Sequence, residues 1–451
     1  MELNEYLEDV AVVGAAGKMG SGIALLLALE LARRTLSDPA TSRRLTLIDP
    51  RADAHEGLAS YIDSQAEKTA RLELSQLREL LPKASTAISD DALVERFVAA
   101  VRNVSRPATE LAAAASSHLV FEAILEDEGI KVETLRALRK ICGPKTFFLT
   151  NTSSIPIHTL EVAAELDGRI IGYHFYNPPA VQQLVEVIPT STTRPQLVAL
   201  ADDLGKCLGK KLIDSGDVAG FIGNGYFIRE GLYALELARR LADEWGEAPA
   251  RLAVDRIGRD WLLRPMGIFQ VIDYVGLDVF ACILGVMDRN LAAESFADAT
   301  IEALLTAGVR GGQHADGTQR DGFFQYDGRS PVGVFALEEK RYAPLTDPGV
   351  GPAVDAKLGP APAGVTPWSR LRKDPDRFGK ISKLLADLET GDGRQETDQG
   401  TGLGAALAIA YLERSRTIAQ GLVDDGVAAN ADAVNGVLTQ GFYHLYGPLA
   451  G

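Results

Sequence analysis

Two ionisable residues stand out because each lies at or within an apolar run where a charge is costly. His174 is the penultimate residue of RIIGYHF (169–175), just before a Pro-rich bend, and Glu186 lies inside LVEVI (184–188). Histidine is the side chain best suited to act as a base near pH 7, and a buried carboxylate needs a partner. The pattern predicts a general base, His174, that Glu186 holds and polarises, as removal of a proton from an alcohol requires. A core histidine beside an unrelated edge-strand glutamate fits the same residues.

A glycine-rich turn follows the first apolar run, VAVVG (10–14), and opens a helix-like stretch. It contains Gly14, Gly17, Lys18, Met19 and Gly20. Small residues let a backbone approach a pyrophosphate, and a helix N-terminus offers unpaired N–H groups. The spacing departs from G-x-G-x-x-G, which indicates a turn one residue wider than usual. Such a turn can be just a tight loop, but its place between first strand and first helix favours nucleotide binding.

The second apolar run, LTLID (45–49), ends in Asp49. A carboxylate there would accept hydrogen bonds from the adenosine ribose and repel a 2′-phosphate, which favours NAD over NADP. Asp49 lies 29 residues beyond Gly20, a longer interval than the usual ~20, which fits an insertion of DPATSRR. Arg51 is a candidate partner for a phosphate, and a solvated strand-end aspartate is the plainer interpretation.

The elements that must position these residues can be read from the apolar runs. The runs alternate with helix-like segments through about residue 215, and they are VAVVG (10–14), LTLID (45–49), HLVFEAI (118–124), TFFLTN (146–151), RIIGYHF (169–175) and LVEVI (184–188). The alternation predicts a parallel α/β sheet, in which ligands bind at the C-terminal edge of the strands. The predicted fold is a Rossmann-type doubly wound sheet in residues 1–216, followed by all-α C-terminal domains.

The C-terminal half is predicted to contain three segments. Residues 217–335 have helical periodicity and are predicted to form a substrate-binding or dimerisation domain. Residues 341–375 hold seven of the 21 prolines, which predicts a linker, or a loop packed over the body, at 336–400. Residues 410–449 loosely resemble 234–269, which predicts a partial second helical domain at 401–451. Chance likeness between two Ala- and Leu-rich hairpins is the alternative.

Composition excludes several classes of function. A net charge of −15 with no basic stripe disfavours a nucleic-acid partner. The three cysteines, Cys142, Cys207 and Cys282, are far apart and suit neither a disulfide framework nor a zinc site, so no metal is expected. No apolar run approaches the length of a membrane span, and the acidic N-terminus lacks the features of a secretory signal. We expect a cytoplasmic protein with no membrane partner.

Five motifs come in the order and spacing of the 3-hydroxyacyl-CoA dehydrogenase family, which the chain closely resembles from about residue 9 to 285. They are NTSS (151–154), YHFYNP (173–178), LVEVI (184–188), GFIGN (220–224) and PMGIFQVIDYVGLD (265–278). No N-terminal enoyl-CoA hydratase module precedes them, so the chain resembles the monofunctional enzymes. The resemblance implies NAD as cofactor and a 3-hydroxyacyl-CoA or 3-oxoacyl-CoA substrate.

The resemblance also implies a role for each matched residue. Ser153 would hydrogen-bond the substrate oxygen, His174 would be the base, Glu186 would orient it, and Asn224 would bind the acyl thioester oxygen. The cofactor site implied by the resemblance includes Glu126, Lys131, Asn151, Ser153 and Asn177. From the residues alone, Glu126 and Lys131 could equally be a surface pair, and Ser153 a helix cap.

Two positions and one segment depart from the family pattern. Gly225 follows Asn224 where the family usually has Arg or Lys, and Thr318 replaces a lysine that contacts the cofactor. The segment after Asp49 is also rewritten where the family holds basic residues for the coenzyme A phosphates. Two alternative functions therefore stay open: a dehydrogenase of a free hydroxy acid or sugar acid, and a nucleotide-binding protein without catalysis.

The second helical domain leads to a prediction about assembly. The family's single helical domain typically forms a two-fold dimer through an apolar face. An attached second copy would cover that face from within the chain, because the linkage raises the effective concentration of the contact. We therefore expect the 400–451 helices to dock on the 220–300 helices, and the full chain to be monomeric.

Overall fold

The computed structural model describes residues 2–81, 88–314, 317–361, 368–390 and 403–449. The chain divides into two compact units, residues 1–221 and 222–451. Parts of the predicted linker and of the last predicted domain, residues 362–367, 391–402 and 450–451, lie outside the described residues. The four-segment division stays a prediction.

The first unit alternates strands and helices. Its strands are β1 (Asp9–Val13), β2 (Arg44–Ile48), β3 (Ser105–Ala108), β4 (Leu119–Glu122), β5 (Phe147–Thr150), β6 (Ile170–Phe175), β7 (Leu184–Ile188) and β8 (Lys211–Asp214). Its helices are α1 (Leu3–Tyr6), α2 (Lys18–Ser37), α3 (Ala54–Leu72), α4 (Leu74–Leu80), α5 (Asp90–Val104), α6 (Glu128–Ile141), α7 (Ile157–Ala164) and α8 (Pro195–Cys207), with a 3₁₀ turn at Leu111–Ala114.

These strands form one sheet in the order β3-β2-β1-β4-β5-β6-β7-β8. The first six follow the doubly wound order of dinucleotide-binding folds, which confirms the predicted fold class. The expectation of a wholly parallel sheet is wrong at one junction, because β6 and β7 pair antiparallel. The chain between Phe175 and Leu184 is too short for a helical crossover, so β7 can only return beside β6 in the opposite direction.

The central strands are mostly apolar because helices cover both faces of the sheet. Every residue of β4, β5, β6 and β7 is buried. Glu122 at the end of β4 and Glu186 inside β7 are both fully buried charges in this apolar layer. Such charges need partners.

The second unit is mainly helical. Its helices are α9 (Gly223–Trp245), α10 (Glu247–Arg256), α11 (Ile268–Val275), α12 (Leu277–Asn290), α13 (Ala299–Thr306), α14 (Gly351–Leu358), α15 (Trp368–Leu371), α16 (Arg377–Thr390), α17 (Leu403–Asp424) and α18 (Ala431–Gly441), with a π-turn at Ile257–Trp261. Its strands β9 (Phe324–Asp327), β10 (Ser330–Ala336) and β11 (Arg341–Pro344) form an antiparallel sheet.

Two expectations for this half are corrected. The helical region is not purely α, because the three-stranded sheet crosses the predicted boundary at residue 335. The proline-rich stretch does sustain a helix, since α14 has a proline in its first turn. A first-turn proline removes no intrahelical hydrogen bond and carries the φ that a helix needs.

The last helices repeat local features of the first helices of this unit at positions 180 residues apart. Gly246 and Gly426 both have a positive φ, 82° and 70°, and so do the non-glycine residues Leu263 and Tyr443, at 54° and 57°. A non-glycine residue with positive φ is uncommon, so the matched pair is informative. These matches support the predicted duplication, which we retain as a proposal.

A side-chain contact repeats at the same offset. The Asp255 carboxylate accepts a hydrogen bond from the Phe269 N–H, fourteen residues on, at 3.0 Å. The Asn435 side chain accepts one from the Leu449 N–H, also fourteen residues on, at 3.1 Å. Each hydrogen bond joins the segment that follows a helical hairpin to the second helix of that hairpin, α10 in one case and α18 in the other. The two hairpins therefore share this hydrogen bond as well as the geometry of their turns.

The C-terminal helices dock on the first helices of the unit, as predicted. The buried Arg264 guanidinium donates to Glu230 of α9 at 2.5 Å and to the Ser415 hydroxyl of α17 at 3.1 Å. The Ser415 hydroxyl lies 3.2 Å from the same Glu230 oxygen. Tyr233 and Tyr411 pack edge to face, with ring centroids 5.3 Å apart. A buried ionic network therefore fixes α17 to α9.

Within the described residues, no helix alone has the length and apolar character to cross a membrane; α11 and α12, bent by 95° at the glycine between them, meet that test only as a pair.

Candidate active site

The antiparallel pairing of β6 and β7 brings His174 and Glu186 together. The two residues are register partners, so their side chains leave the same face of the sheet. The imidazole Nδ1 lies 3.1 Å from Glu186 Oε1. Glu186 is fully buried and His174 is 7% exposed. The carboxylate favours the proton on Nδ1, which leaves Nε2 as the basic nitrogen.

Tyr176 also contacts this pair, and the sequence reasoning gave it no role. Its hydroxyl donates to Glu186 Oε1 at 2.8 Å, and its ring lies 5.0 Å from the imidazole. Burial first, and then the Glu186 charge, raise the pKa of Tyr176 well above its ordinary value. The signal that could have found it is its spacing, two residues after His174 and on the same face of an extended chain.

In the glycine-rich turn, backbone segments lie too close together to leave room for a Cβ atom. Gly14 has a φ of +82°, and a Cβ placed there would lie 2.6 Å from the Ala123 carbonyl oxygen. A Cβ at Gly20 would overlap the Gly14 carbonyl oxygen, and Gly17 precedes the first residue of α2, Lys18. Met19 packs against the core. The 20-residue helix α2 thus begins at a glycine cap that makes no side-chain hydrogen bond, as in helix ends that bind anions.

Asp49 lies beside this turn, directly after β2. Its carboxylate accepts hydrogen bonds from the Ala16 N–H at 3.1 Å and from the Arg51 guanidinium at 2.9 and 3.1 Å. Burial alone would raise the pKa of Asp49, but the hydrogen bonds from Arg51 and Ala16 outweigh it and lower the pKa. Asp49 is therefore an ionised acceptor at the edge of the turn, and Arg51 is its direct partner.

Glu126 is the centre of a hydrogen-bond network after β4 and β5. Its carboxylate accepts from the Thr152 hydroxyl at 2.7 Å, from the Ser153 N–H at 2.8 Å and from the Ser153 hydroxyl at 3.2 Å. Ser154 donates to it through both its N–H and its hydroxyl, each at 3.0 Å. The plainer interpretation of Ser153 as a helix cap does not match these contacts.

Lys131 joins that network from helix α6. Its ammonium lies 3.4 Å from Glu126 and 2.8 Å from Glu122, and its side chain is 1% exposed. Burial lowers the pKa of Lys131, but the two carboxylates raise it more. A surface pair with Glu126 is thus ruled out. Glu122, which the sequence reasoning missed, shows the same signal as Glu186, a glutamate inside an apolar run.

The loop that carries Asn177 is fastened at several points. Asn151 Oδ1 accepts from the Phe175 N–H at 2.9 Å, just before the loop. A Cβ on Gly22 of α2 would lie 2.7 Å from the Pro179 ring, and Lys210 donates to the Pro179 carbonyl at 2.6 Å. The loop therefore packs against the helix that follows the glycine-rich turn.

Most of the predicted residues are brought to one edge of the sheet. β1, β2, β4, β5 and β6 are mutually parallel, so their C-terminal ends share an edge. The glycine-rich turn, Asp49, Glu126, Asn151 with Ser153, and Asn177 all follow these strands, and His174 lies in the last of them. Asn224 belongs to the second unit, as the second residue of α9, and its contact with substrate stays a prediction.

Comparison with known proteins identifies two domains. The family model "3-hydroxyacyl-CoA dehydrogenase, NAD binding domain" matches residues 9–218, and the model of the same enzyme's C-terminal domain matches residues 220–321. The chain is 31% identical over 272 residues to human mitochondrial hydroxyacyl-coenzyme A dehydrogenase, which covers 60% of this chain and 77% of the human protein.

Two solved structures have the same fold. (S)-3-hydroxybutyryl-CoA dehydrogenase PaaH1 from Ralstonia eutropha is 26% identical with a TM-score of 0.52, covering 68% of this chain and 95% of that one. For the fold alone, 3-hydroxybutyryl-CoA dehydrogenase from Escherichia coli K12 superposes with a TM-score of 0.63 at 21% identity, covering 98% of this chain and 90% of the other. The fold likeness therefore extends past the region that the family models match. The chain belongs to the 3-hydroxyacyl-CoA dehydrogenase family, with an NAD-binding domain at residues 9–218.

Proposed function

We propose that the protein interconverts 3-hydroxyacyl-CoA and 3-oxoacyl-CoA, with His174 as the base and Glu186 as the group that holds it. The observation that carries this proposal is the buried hydrogen bond between His174 Nδ1 and Glu186 Oε1. It lies at the same sheet edge as the NAD-binding turn. A neutral imidazole held by a carboxylate can take a proton through Nε2, and the carboxylate stabilises the resulting imidazolium.

The residues of the glycine-rich turn fit the NAD that the family implies. Gly14 and Gly20 leave a backbone cradle that a Cβ would fill, and Asp49 offers an ionised acceptor for a ribose. Gly17, Lys18 and Met19 complete the turn, and we assign Glu126, Lys131, Asn151, Ser153 and Asn177 to the nicotinamide half. Held by these residues, NAD would supply the hydride acceptor for oxidation at C3 of the hydroxyacyl group.

The protein's own groups handle the proton. In the oxidation direction His174 Nε2 takes the proton of the C3 hydroxyl as the carbonyl forms, and in the reverse direction it returns that proton. We assign the Ser153 hydroxyl, which lies 3.2 Å from the Glu126 carboxylate, to a hydrogen bond with the substrate oxygen. Asn224 would bind the thioester oxygen.

The substrate class is tested by following NADH absorbance with three alcohols: 3-hydroxybutyryl-CoA, a long-chain 3-hydroxyacyl-CoA and free 3-hydroxybutyrate. We expect turnover with the coenzyme A esters and little with the free acid. Equal or faster turnover of the free acid would instead identify a dehydrogenase of free hydroxy acids. The two coenzyme A esters compare short with long acyl chains.

We further propose a cytoplasmic monomer. All three cysteines lie in the described part of the chain and none forms a disulfide, as expected in a reducing compartment. The docking of α17 on α9 supports a second helical copy that replaces a dimer partner. Light scattering of the full chain should give the mass of one chain, and a stable dimer would refute this.

A further inference from the structure

One oxygen of the Glu186 carboxylate accepts two hydrogen bonds. Oε1 accepts from His174 Nδ1 at 3.1 Å and from the Tyr176 hydroxyl at 2.8 Å. The shorter of the two bonds is the one from tyrosine. The two aromatic rings lie side by side, with centroids 5.0 Å apart and planes inclined by 39°. His174 therefore shares its orienting group with a neighbour from its own segment.

The arrangement follows from the two-residue period of extended chain. His174 faces Glu186 across the β6–β7 ladder, and Tyr176, two residues later, leaves the chain on the same face. Burial and the adjacent carboxylate raise the pKa of Tyr176 well above its ordinary value. The phenol therefore keeps its proton throughout the working range of pH and is a constant donor to Glu186.

We propose that Tyr176 is a positioning residue that tunes the base: by donating to Glu186 Oε1 it sets the pH at which His174 can accept a proton. This inference rests on the proposed function. A hydrogen bond to a carboxylate stabilises its charge, and a carboxylate that is already stabilised attracts an imidazolium less strongly. Tyr176 thus favours the neutral, basic form of His174, and it also restrains the carboxylate that orients the ring.

The next strand also carries charged side chains. β7 pairs with β8, where Ile213 is the register partner of Glu186. Lys211, two residues earlier, lies on the same face and is exposed, whereas Asp214 lies on the opposite face. The titratable side chains hydrogen-bonded to Glu186 include His174 from β6 and Tyr176 from the loop after it. The test must therefore remove the Tyr176 hydroxyl and leave both strands unchanged.

The test is Tyr176→Phe in the full chain, which deletes the hydroxyl and keeps the ring. The acidic limb of the kcat/KM–pH profile reports loss of the base form of the free enzyme. We expect that limb to move to higher pH by about half a unit to one unit. Without the tyrosine hydroxyl, the Glu186 carboxylate stabilises the His174 imidazolium more strongly. In a Glu186→Gln background the same change should produce no further displacement.

Tyr173→Phe is the matched control. Tyr173 is buried on the same strand and its hydroxyl donates to the Ala201 carbonyl at 3.2 Å, away from Glu186. This variant loses a buried tyrosine hydroxyl as well, so a general loosening of β6 would affect both proteins. We expect its pH profile to match that of the unmodified protein.

The ring titration can also be followed without turnover, by NMR of imidazole-labelled protein, with His174 assigned through its loss in His174→Gln. An upward displacement of that titration in Tyr176→Phe, absent in Tyr173→Phe, supports the proposal. An unchanged or lowered titration in a folded Tyr176→Phe protein overturns it. If His174→Gln itself retains full turnover, the proposed function fails instead, and the two failures are thereby distinguished.

Discussion

Replacing Asp49 should change which cofactor the protein binds. Asp49 is 2% exposed, and its carboxylate accepts hydrogen bonds from the Ala16 N–H and from the Nε and Nη2 groups of the Arg51 guanidinium. Arg51 is itself 59% exposed at its side chain. Asp49→Ala removes the acceptor proposed for the ribose hydroxyls of NAD, and at the same time it releases an exposed guanidinium. Guanidinium groups bind phosphate through paired hydrogen bonds.

The expected change in cofactor affinity follows from the hydrogen bonds that the substitution removes. A hydrogen bond to a charged group contributes about 1.5–3 kcal/mol, so the dissociation constant for NADH should rise about 10- to 150-fold. The dissociation constant for NADPH should fall, because the repelling carboxylate is gone and Arg51 is available. Fluorescence titration with NADH and NADPH measures both constants on the same preparation.

Two further variants separate cofactor recognition from folding. Asp49→Asn keeps an acceptor for the Ala16 N–H, so it should retain the turn and lose only the charge. In Asp49→Ala with Arg51→Ala, the gain for NADPH should disappear while the loss for NADH remains. If Asp49→Ala leaves both constants unchanged, or weakens both cofactors equally, Asp49 does not select between them.

Two predictions concern stability in the second unit. Arg264→Met leaves the buried Glu230 carboxylate without its ion-pair partner, so the free energy of unfolding in urea should fall by about 3–5 kcal/mol. Arg71 is exposed and pairs with Glu67 and Asp91, so Arg71→Met should leave the free energy of unfolding nearly unchanged. Equal losses in the two variants would contradict the role of the buried network. Burial raises the pKa of Asp255 to about 6, so the folded state holds a proton that the unfolded state releases near pH 4, and stability should fall as pH rises from about 4 to 6. Asp255→Asn should remove up to about 3 kcal/mol of that fall, and an unchanged pH dependence of unfolding would argue against it. Asn435, which lies 180 residues after Asp255, makes the corresponding contact with an amide side chain.

The central strands could be predicted from sequence because burial on both faces gives an uninterrupted apolar run. β1, β2, β4, β5, β6 and β7 all fall within or beside the predicted runs. β3 was missed because it is an edge strand with little buried surface. The direction of β7 could not be read either, since an apolar run carries no information on orientation; only the length of the connection before it does.

Site residues could be predicted where their chemistry requires an unusual residue type for the surrounding sequence. A charge inside an apolar run pointed to Glu186, and the same criterion applied to HLVFEAI would have pointed to Glu122. Tyr176 leaves no such mark, because a tyrosine after a strand is ordinary and its role depends on the register between β6 and β7. The sequence likewise does not identify Arg51 as the partner of Asp49, because that pairing depends on the conformation in which the Arg51 side chain reaches back two residues to the carboxylate.

The most direct test of the central claim is kcat of His174→Gln with 3-hydroxybutyryl-CoA, together with its NADH dissociation constant. If His174 is the base, kcat should fall by at least the factor of about 10²–10⁴ that general base catalysis contributes, and NADH binding should be nearly unchanged. Full turnover by His174→Gln in the presence of bound NAD would contradict the account.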